Sequence, residues 1–191
     1  VASGRAFSIT YKGGDGNDVV VTAIQAVIIG TSGNDVVDAT NTVFGELPAT
    51  KGDDIIKGKG GNDQLTALAG NDSLYGGDGK DIANGGPGDD IIRGADGDDI
   101  LRGAEGNDNI DGGAGNDRID GGDGDDTIVG GAGNDTILGG AGNDKINGGA
   151  GDDYVRSGGG NDEVIAGAGN DRINGGNGDD LLKGSGGDDI M

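Results

Sequence analysis

Between Ala49 and Met191 an aspartate returns every nine residues without a miss, sixteen times in all. Each one follows a glycine by two positions, as Asp54 follows Gly52, Asp63 follows Gly61 and Asp189 follows Gly187. Histidine and cysteine are absent from the whole chain. The chemistry open to such a series is oxygen-only ligation of a hard cation, calcium before magnesium. Metalloprotease, Ser-His and Cys-His motifs are out of reach without histidine. Paired carboxylates occur everywhere, but as a regular lattice and not as one pair in a cleft, so the chain is not expected to be an enzyme. An EF-hand closes on a glutamate, and the only glutamates are Glu46, Glu105 and Glu163. Strings of the form Gly-x-Gly-x-x-Gly carry no weight in a chain with 48 glycines among 191 residues. Lys80 is followed by Asp81, so no phosphate loop exists either.

The elements that position these aspartates follow from the phrase around them. A clean copy is Gly112-Gly113-Ala114-Gly115-Asn116-Asp117-Arg118-Ile119-Asp120, and fifteen full copies plus one of eight residues run head to tail. The fourth position is always Gly, which points to a backbone conformation with positive φ. The second position is looser, admitting Lys59, Leu68, Ala95 and Ala104. The eighth is a large apolar residue in fifteen copies, with Ala83 the exception. The first six residues, as in Gly121 to Asp126, read as a turn, and the last three, as in Thr127-Ile128-Val129, as a short strand. Strand alternation sends Ile128 inward and its neighbours outward. Two phrases, eighteen residues together, then make one coil, with strands on both faces and turns on both edges. The expected fold is all-β, a flattened right-handed parallel β-roll, or β-solenoid, whose coils stack at about 4.8 Å.

Stacking sets the sixth-position aspartates in two columns. Asp54, Asp72, Asp90, Asp108, Asp126, Asp144, Asp162 and Asp180 belong to one edge. Asp63, Asp81, Asp99, Asp117, Asp135, Asp153, Asp171 and Asp189 belong to the other. Carboxylates about 5 Å apart repel by about 3 kcal/mol per pair at an effective dielectric near 20. No regular position supplies a neutralising side chain, so several cations are expected between successive turns of both edges. Sixteen inward side chains cannot offset the entropy of ordering so glycine-rich an array. Without metal the array is expected to be largely unfolded.

This phrase resembles the RTX (repeats-in-toxin) calcium-binding β-roll, Gly-Gly-x-Gly-x-Asp-x-apolar-x, over about three quarters of the chain. The resemblance implies that each sixth-position Asp bridges calcium ions between turns one coil apart, with loop carbonyls completing the shell. It also implies one-step (type I) secretion and folding on meeting extracellular calcium. The chain departs from the pattern at Ala67-Leu68-Ala69 and at Ala49-Thr50. The ions beside those turns are the first in doubt.

Upstream, residues 1–29 differ in character. Phe7 to Tyr11 alternates, Gly13-Gly14-Asp15-Gly16-Asn17-Asp18 turns, and Val19 to Thr22 returns, which reads as a β-hairpin ending an upstream domain. Residues 13–21 can also be read as an isolated extra copy, and Ala23 to Ile29 as a short strand or linker. Residues 30–48 read as a degenerate coil, with Asp35 a further candidate ligand in line with Asp54, and Phe44 and Leu47 capping the roll before Pro48. Residues 49–191 are the regular array. Relatives of this kind end in a non-repeat, aromatic segment that is not found here, and the chain does not begin with Met, so a longer protein is expected.

The net charge of −22 disfavours nucleic acid and anionic membranes as partners. The absence of cysteine fits an extracellular or bacterial cell-surface protein exported unfolded, and no signal peptide or membrane-spanning run appears. Two roles follow: a calcium-triggered folding module, or a strut of an adhesin, surface layer or self-assembling fibre. Outward apolar residues such as Ile82, Ile91, Ile100 and Leu138 motivate the second, through self-association or cell-surface partners. Thr66, Thr127 and Thr136 are too scattered for an ice-binding row. Arg93, Arg102, Arg118, Arg156 and Arg172 face outward but read as spread over several faces, which argues against a polyanion-binding surface.

Overall fold

The computed structural model describes residues 6–11, 19–25, 27–30, 32–37 and 49–191. Every element among them is a β-strand. β1 (Ala6–Tyr11) and β2 (Val19–Gln25) pair antiparallel, with Tyr11 opposite Val19. The turn between them and the cap expected from Phe44, Leu47 and Pro48 lie outside the described residues.

The remaining strands form two parallel sheets. The nine-stranded sheet holds β3 (Val27–Ile29), β5 (Ile55–Gly60), β7 (Ser73–Asp78), β9 (Ile91–Asp96) and β11 (Asn109–Ala114). It continues through β13 (Thr127–Ala132), β15 (Lys145–Ala150), β17 (Glu163–Ala168) and β19 (Leu181–Gly186). The eight-stranded sheet holds β4 (Val36–Val37), β6 (Gln64–Thr66), β8 (Ile82–Pro87) and β10 (Ile100–Glu105). It is completed by β12 (Arg118–Asp123), β14 (Thr136–Ala141), β16 (Tyr154–Gly159) and β18 (Arg172–Asn177). The chain alternates between the sheets, and each strand pairs with the one two steps on. Arg118 stands beside Thr136 and Ile119 beside Ile137, a register of two whole phrases. The architecture is therefore the β-solenoid that the period demands.

The strands are twice as long as the three residues the sequence suggests. Most run six, from the seventh position of one phrase through the third of the next, as in Arg118–Asp123. Only the fourth to sixth positions turn. Along β12 the burial alternates, so that Ile119 and Gly121 face inward. The eighth position supplies the core, with Ile56, Leu74, Ile92, Ile110 and Ile128 from one sheet and Leu65, Leu101, Ile119, Ile137 and Val155 from the other. The first position is inward as well, and it holds only Gly, Ala or Ser. Ala67, Ala166 and Ser157 are buried there.

The second position also departs from expectation. It has positive φ in every copy except those of Thr50 and Leu68, and the other side chains it admits are strained: Lys59 at 88°, Ala95 at 87°, Ala104 at 99° and Ser185 at 91°. Those angles lie near the edge of the left-handed region that an L residue can reach. Fourth-position glycines from Gly61 onward stand further out, from 107° at Gly61 to 142° at Gly97, where a Cβ is not tolerated.

The upstream phrase joins the roll on the other edge from the one expected. Val27 and Ile28 pair with Ile55 and Ile56, and Val36 pairs with Gln64. Asp35 therefore lines up with Asp63, not with Asp54. The reason is that Val27–Ile29 already supplies a strand of the nine-stranded sheet, so the segment joining Val37 to Ala49 is extra to the period.

Candidate metal centres

At each turn the sixth-position Asp folds back toward the preceding coil. The amide of Asp63 donates to Asp81 Oδ1 at 2.8 Å, Asp81 to Asp99 at 2.8 Å and Asp99 to Asp117 at 2.9 Å. The same bond links Asp117 to Asp135, Asp135 to Asp153, Asp153 to Asp171 and Asp171 to Asp189. On the opposite edge it runs from Asp54 through Asp72, Asp90, Asp108, Asp126, Asp144 and Asp162 to Asp180. Asp35 starts the first ladder by donating to Asp63 Oδ1 at 2.7 Å. All seventeen candidate ligands thus fall on two edge columns.

The other carboxylate oxygen is not satisfied. Oδ2 of Asp63, Asp72, Asp81, Asp90, Asp99, Asp108 and Asp117 is buried without a hydrogen-bond partner. The same holds for Asp126, Asp135, Asp144, Asp153, Asp162 and Asp171. These side chains are 1–2% exposed. A buried anionic oxygen without a partner is costly, and thirteen in register is not a packing accident. Asp35, Asp180 and Asp189 are only half-buried.

The first-position glycine makes room for this oxygen. A Cβ on Gly112 would lie 2.4 Å from Asp117 Oδ2 and 2.5 Å from the carbonyl oxygen of Gly130 in the next coil. Gly94, Gly103, Gly121 and Gly130 are walled in the same way by their own Asp and a carbonyl one coil on. Each of these turns therefore keeps a cradle lined by a carboxylate and a backbone carbonyl oxygen. Among the described residues no group of three or more acidic side chains converges on a point that could hold a metal. An ion at these turns must take the rest of its shell from backbone carbonyls, a donor set that suits calcium.

The electrostatics agree. Burial pushes the carboxyls of Asp90, Asp99, Asp108 and Asp135 up from 3.8 to about 7. It pushes those of Asp72, Asp126, Asp144 and Asp153 up to about 6. The amide bond from the neighbouring coil opposes the shift, and nearby carboxylates add to it. Asp63, Asp81 and Asp117 are raised for the same leading reason. The turns resist negative charge unless a cation accompanies it.

Two of the irregular turns differ in kind. Thr50 donates its amide to Asp54 Oδ2 at 2.6 Å and its hydroxyl to Asp54 Oδ1 at 2.9 Å, so protein donors occupy that carboxylate. Ala67-Leu68-Ala69 shortens β6 to three residues, yet Asp72 Oδ2 stays without a partner. Sequence reasoning overlooked a third case, Ser157, whose hydroxyl donates to the carbonyl of Gly175 at 2.8 Å. The signal was its departure from Gly at the first position.

A second ladder on each edge also escaped notice. The amide of Asn116 donates to Asp98 Oδ1 at 2.9 Å and that of Asn134 to Asn116 Oδ1 at 2.8 Å. The fifth position is Asn or Asp in every copy but one, and that regularity was the missed signal. These exposed side chains reach toward the following coil, opposite in sense to the aspartates beside them. The exception, Lys80, bonds Asp98 with its ammonium group instead.

The fold and site define a parallel β-solenoid with a buried carboxylate ladder on each edge. The four-copy model of the RTX calcium-binding nonapeptide repeat matches residues 27–41 and overlapping windows that together cover 49–191. The chain belongs to that family, and the array is a calcium-binding β-roll region. No curated protein matches the chain.

Proposed function

We propose that the two edge columns take up calcium between successive turns and that this uptake folds the roll. The carrying observation is the row of thirteen buried Oδ2 atoms without partners. The ligands are the aspartates from Asp63 to Asp171 in both columns, completed by carbonyls such as that of Gly130. Asp35, Asp180 and Asp189 are outlying members, and Asp54 is the member that Thr50 holds. Calcium supplies positive charge there, and the chain supplies spacing, burial and oxygen donors. The chain acts as a folding module of a secreted or surface-bound bacterial protein, unfolded where calcium is scarce and stiff outside the cell. No catalytic role is assigned to it, because the carboxylates form a lattice without a unique pair. Among the described residues no helix is long and apolar enough to cross a membrane.

Circular dichroism in chelator and in millimolar calcium tests this reading. Calcium is expected to convert a largely unfolded chain to β-structure, and equal order in both conditions would refute it.

A strut or fibre role draws on a separate observation. Ile82 and Ile100 are neighbours in register on the outer face, 43% and 47% exposed. Light scattering after calcium addition distinguishes the roles, since a strictly monomeric product at high concentration counts against assembly.

A further inference from the structure

The first position decides what faces the reserved carboxylate oxygen, and it is not uniform along the chain. From Gly76 through Gly148 it is Gly in nine successive phrases, which serve Asp81 to Asp153 on both edges. The next two phrases break the run with Ser157 and Ala166, which precede Asp162 on one edge and Asp171 on the other. Both side chains are fully buried. Ala67 does the same before Asp72, but the turns before and after it, at Asp63 and Asp81, keep Gly58 and Gly76. Within residues 49–191, only Ser157 and Ala166 alter two consecutive turns, one on each edge.

The preceding coil shows what these two side chains fill. A Cβ on Gly139, one coil before Ser157, would lie 2.5 Å from Asp144 Oδ2 and closer still to the carbonyl oxygen of Ser157. On Gly148, one coil before Ala166, it would lie 2.6 Å from Asp153 Oδ2 and closer still to the carbonyl oxygen of Ala166. At Ser157 and Ala166 a Cβ is present, so carbon occupies the space that other turns keep between carboxylate and carbonyl. The Ser157 hydroxyl also donates to the carbonyl of Gly175 at 2.8 Å, which turns a proton toward an oxygen that a cation would use. The Ala166 methyl group offers no ligand atom. Yet Oδ2 of Asp162 and of Asp171 is buried without a hydrogen-bond partner, as in the open turns. These two turns carry the same buried oxygen, with less room for the ion that would offset it.

We infer, on the reading of both edges as calcium columns, that the roll holds two grades of calcium site. The coil that carries the Asp162 and Asp171 turns is a weak seam, which takes up calcium and folds last. In a stacked array stability is close to a sum of coil and interface terms, so an unbroken run of strong sites folds as a unit and a weak pair interrupts it. The nine open turns from Asp81 to Asp153 are that unit. The seam divides it from the following turns at Asp180 and Asp189, and the response to calcium has two steps. Loss of a group that supports a metal site costs about tenfold or more in affinity. A plain packing role for Ser157 and Ala166 predicts the opposite response to glycine. Glycine weakens a strand, and Ser157→Gly also deletes a hydrogen bond.

The test is a calcium titration of the whole chain, followed by calorimetry and by hydrogen exchange with mass spectrometry. In the wild type, residues 109–153 are expected to gain protection at lower calcium than residues 154–171, with midpoints about tenfold apart. In the double variant Ser157→Gly with Ala166→Gly, the second midpoint is expected to fall to that of the first, and calorimetry to count two more tight sites. Gly139→Ser copies Ser157 into the preceding coil of the same edge and is expected to lose one tight site. If circular dichroism shows that Gly139→Ser does not fold in saturating calcium, the double variant decides alone. One shared midpoint in the wild type, or a double variant whose second midpoint stays or rises, overturns the seam and leaves the calcium columns standing. A chain that takes up no calcium, or that is equally protected in chelator, overturns both.

Discussion

The amide of Asp99 donates to Asp117 Oδ1 at 2.9 Å, one coil further on, while Asp117 Oδ2 is buried with no partner of its own. One carboxylate is thus half satisfied by the backbone and half reserved. Repeated up both edges, the bond sets the spacing of the turns, and the reserved oxygen is the donor we propose for a cation.

Replacing Asp117 by Ala removes the acceptor for Asp99 and the reserved oxygen together. Calcium stoichiometry measured by titration calorimetry is expected to fall, with the ions on either side of Asp117 lost and the roll loosened locally. A stoichiometry equal to wild type would show that these aspartates are not the ligands.

The carboxyls of the columns make the calcium-free chain sensitive to pH in an unusual direction. Their folded values of about 6 to 7 stand above the ordinary 3.8, so the folded chain binds more protons than the unfolded one between those limits. Stability is then greatest below about pH 4 and is lost as the pH rises toward 7. In chelator, circular dichroism is expected to report more β-structure at pH 4 than at pH 8. With calcium the trend reverses, because protons compete for the same oxygens. A calcium-free chain that gains order on going from pH 4 to pH 8 would contradict the burial argument.

Second-position and fourth-position substitutions separate backbone strain from crowding. Gly115 has φ of 137°, and a Cβ there would lie 2.0 Å from the carbonyl oxygen of Gly97. Gly115→Ala is expected to cost about 3 kcal/mol or more in calcium-saturated thermal unfolding. Ala95 already sits at 87°, so Ala95→Gly exchanges strain relief for chain entropy and should stay within about 1 kcal/mol of wild type. Equal effects of the two changes would refute the distinction.

Thr50 holds the Asp54 carboxylate through its amide and its hydroxyl. Thr50→Gly restores the residue that most second positions carry and removes the hydroxyl from both oxygens of Asp54, leaving Oδ1 free and the backbone amide alone on Oδ2. One additional calcium ion is the expected result, read by the same calorimetry. No change in stoichiometry would mean that Asp54 belongs to the metal column despite Thr50.

Much of this protein is written in a nine-residue period that needs no alignment to read. The invariant sixth-position Asp, the apolar eighth position and the absence of His and Cys lead to a roll with two acidic edges and a hard cation, because side-chain alternation and coil stacking are local rules. The same rules leave the strand ends open: only the fold puts the first position inward, which is why Ala67, Ser157 and Ala166 had no assigned place. Asp35 was assigned to the wrong column because its edge depends on where the preceding strand, Val27–Ile29, pairs, and pairing is a tertiary choice. The opposed ladder through Asn116 and Asn134 and the placing of Arg156 and Arg172 on one sheet likewise depend on neighbours a full coil apart in sequence. Sequence determined the period and the chemistry of each rung. The tertiary structure decided which rungs are neighbours, because coil stacking joins residues that are distant along the chain.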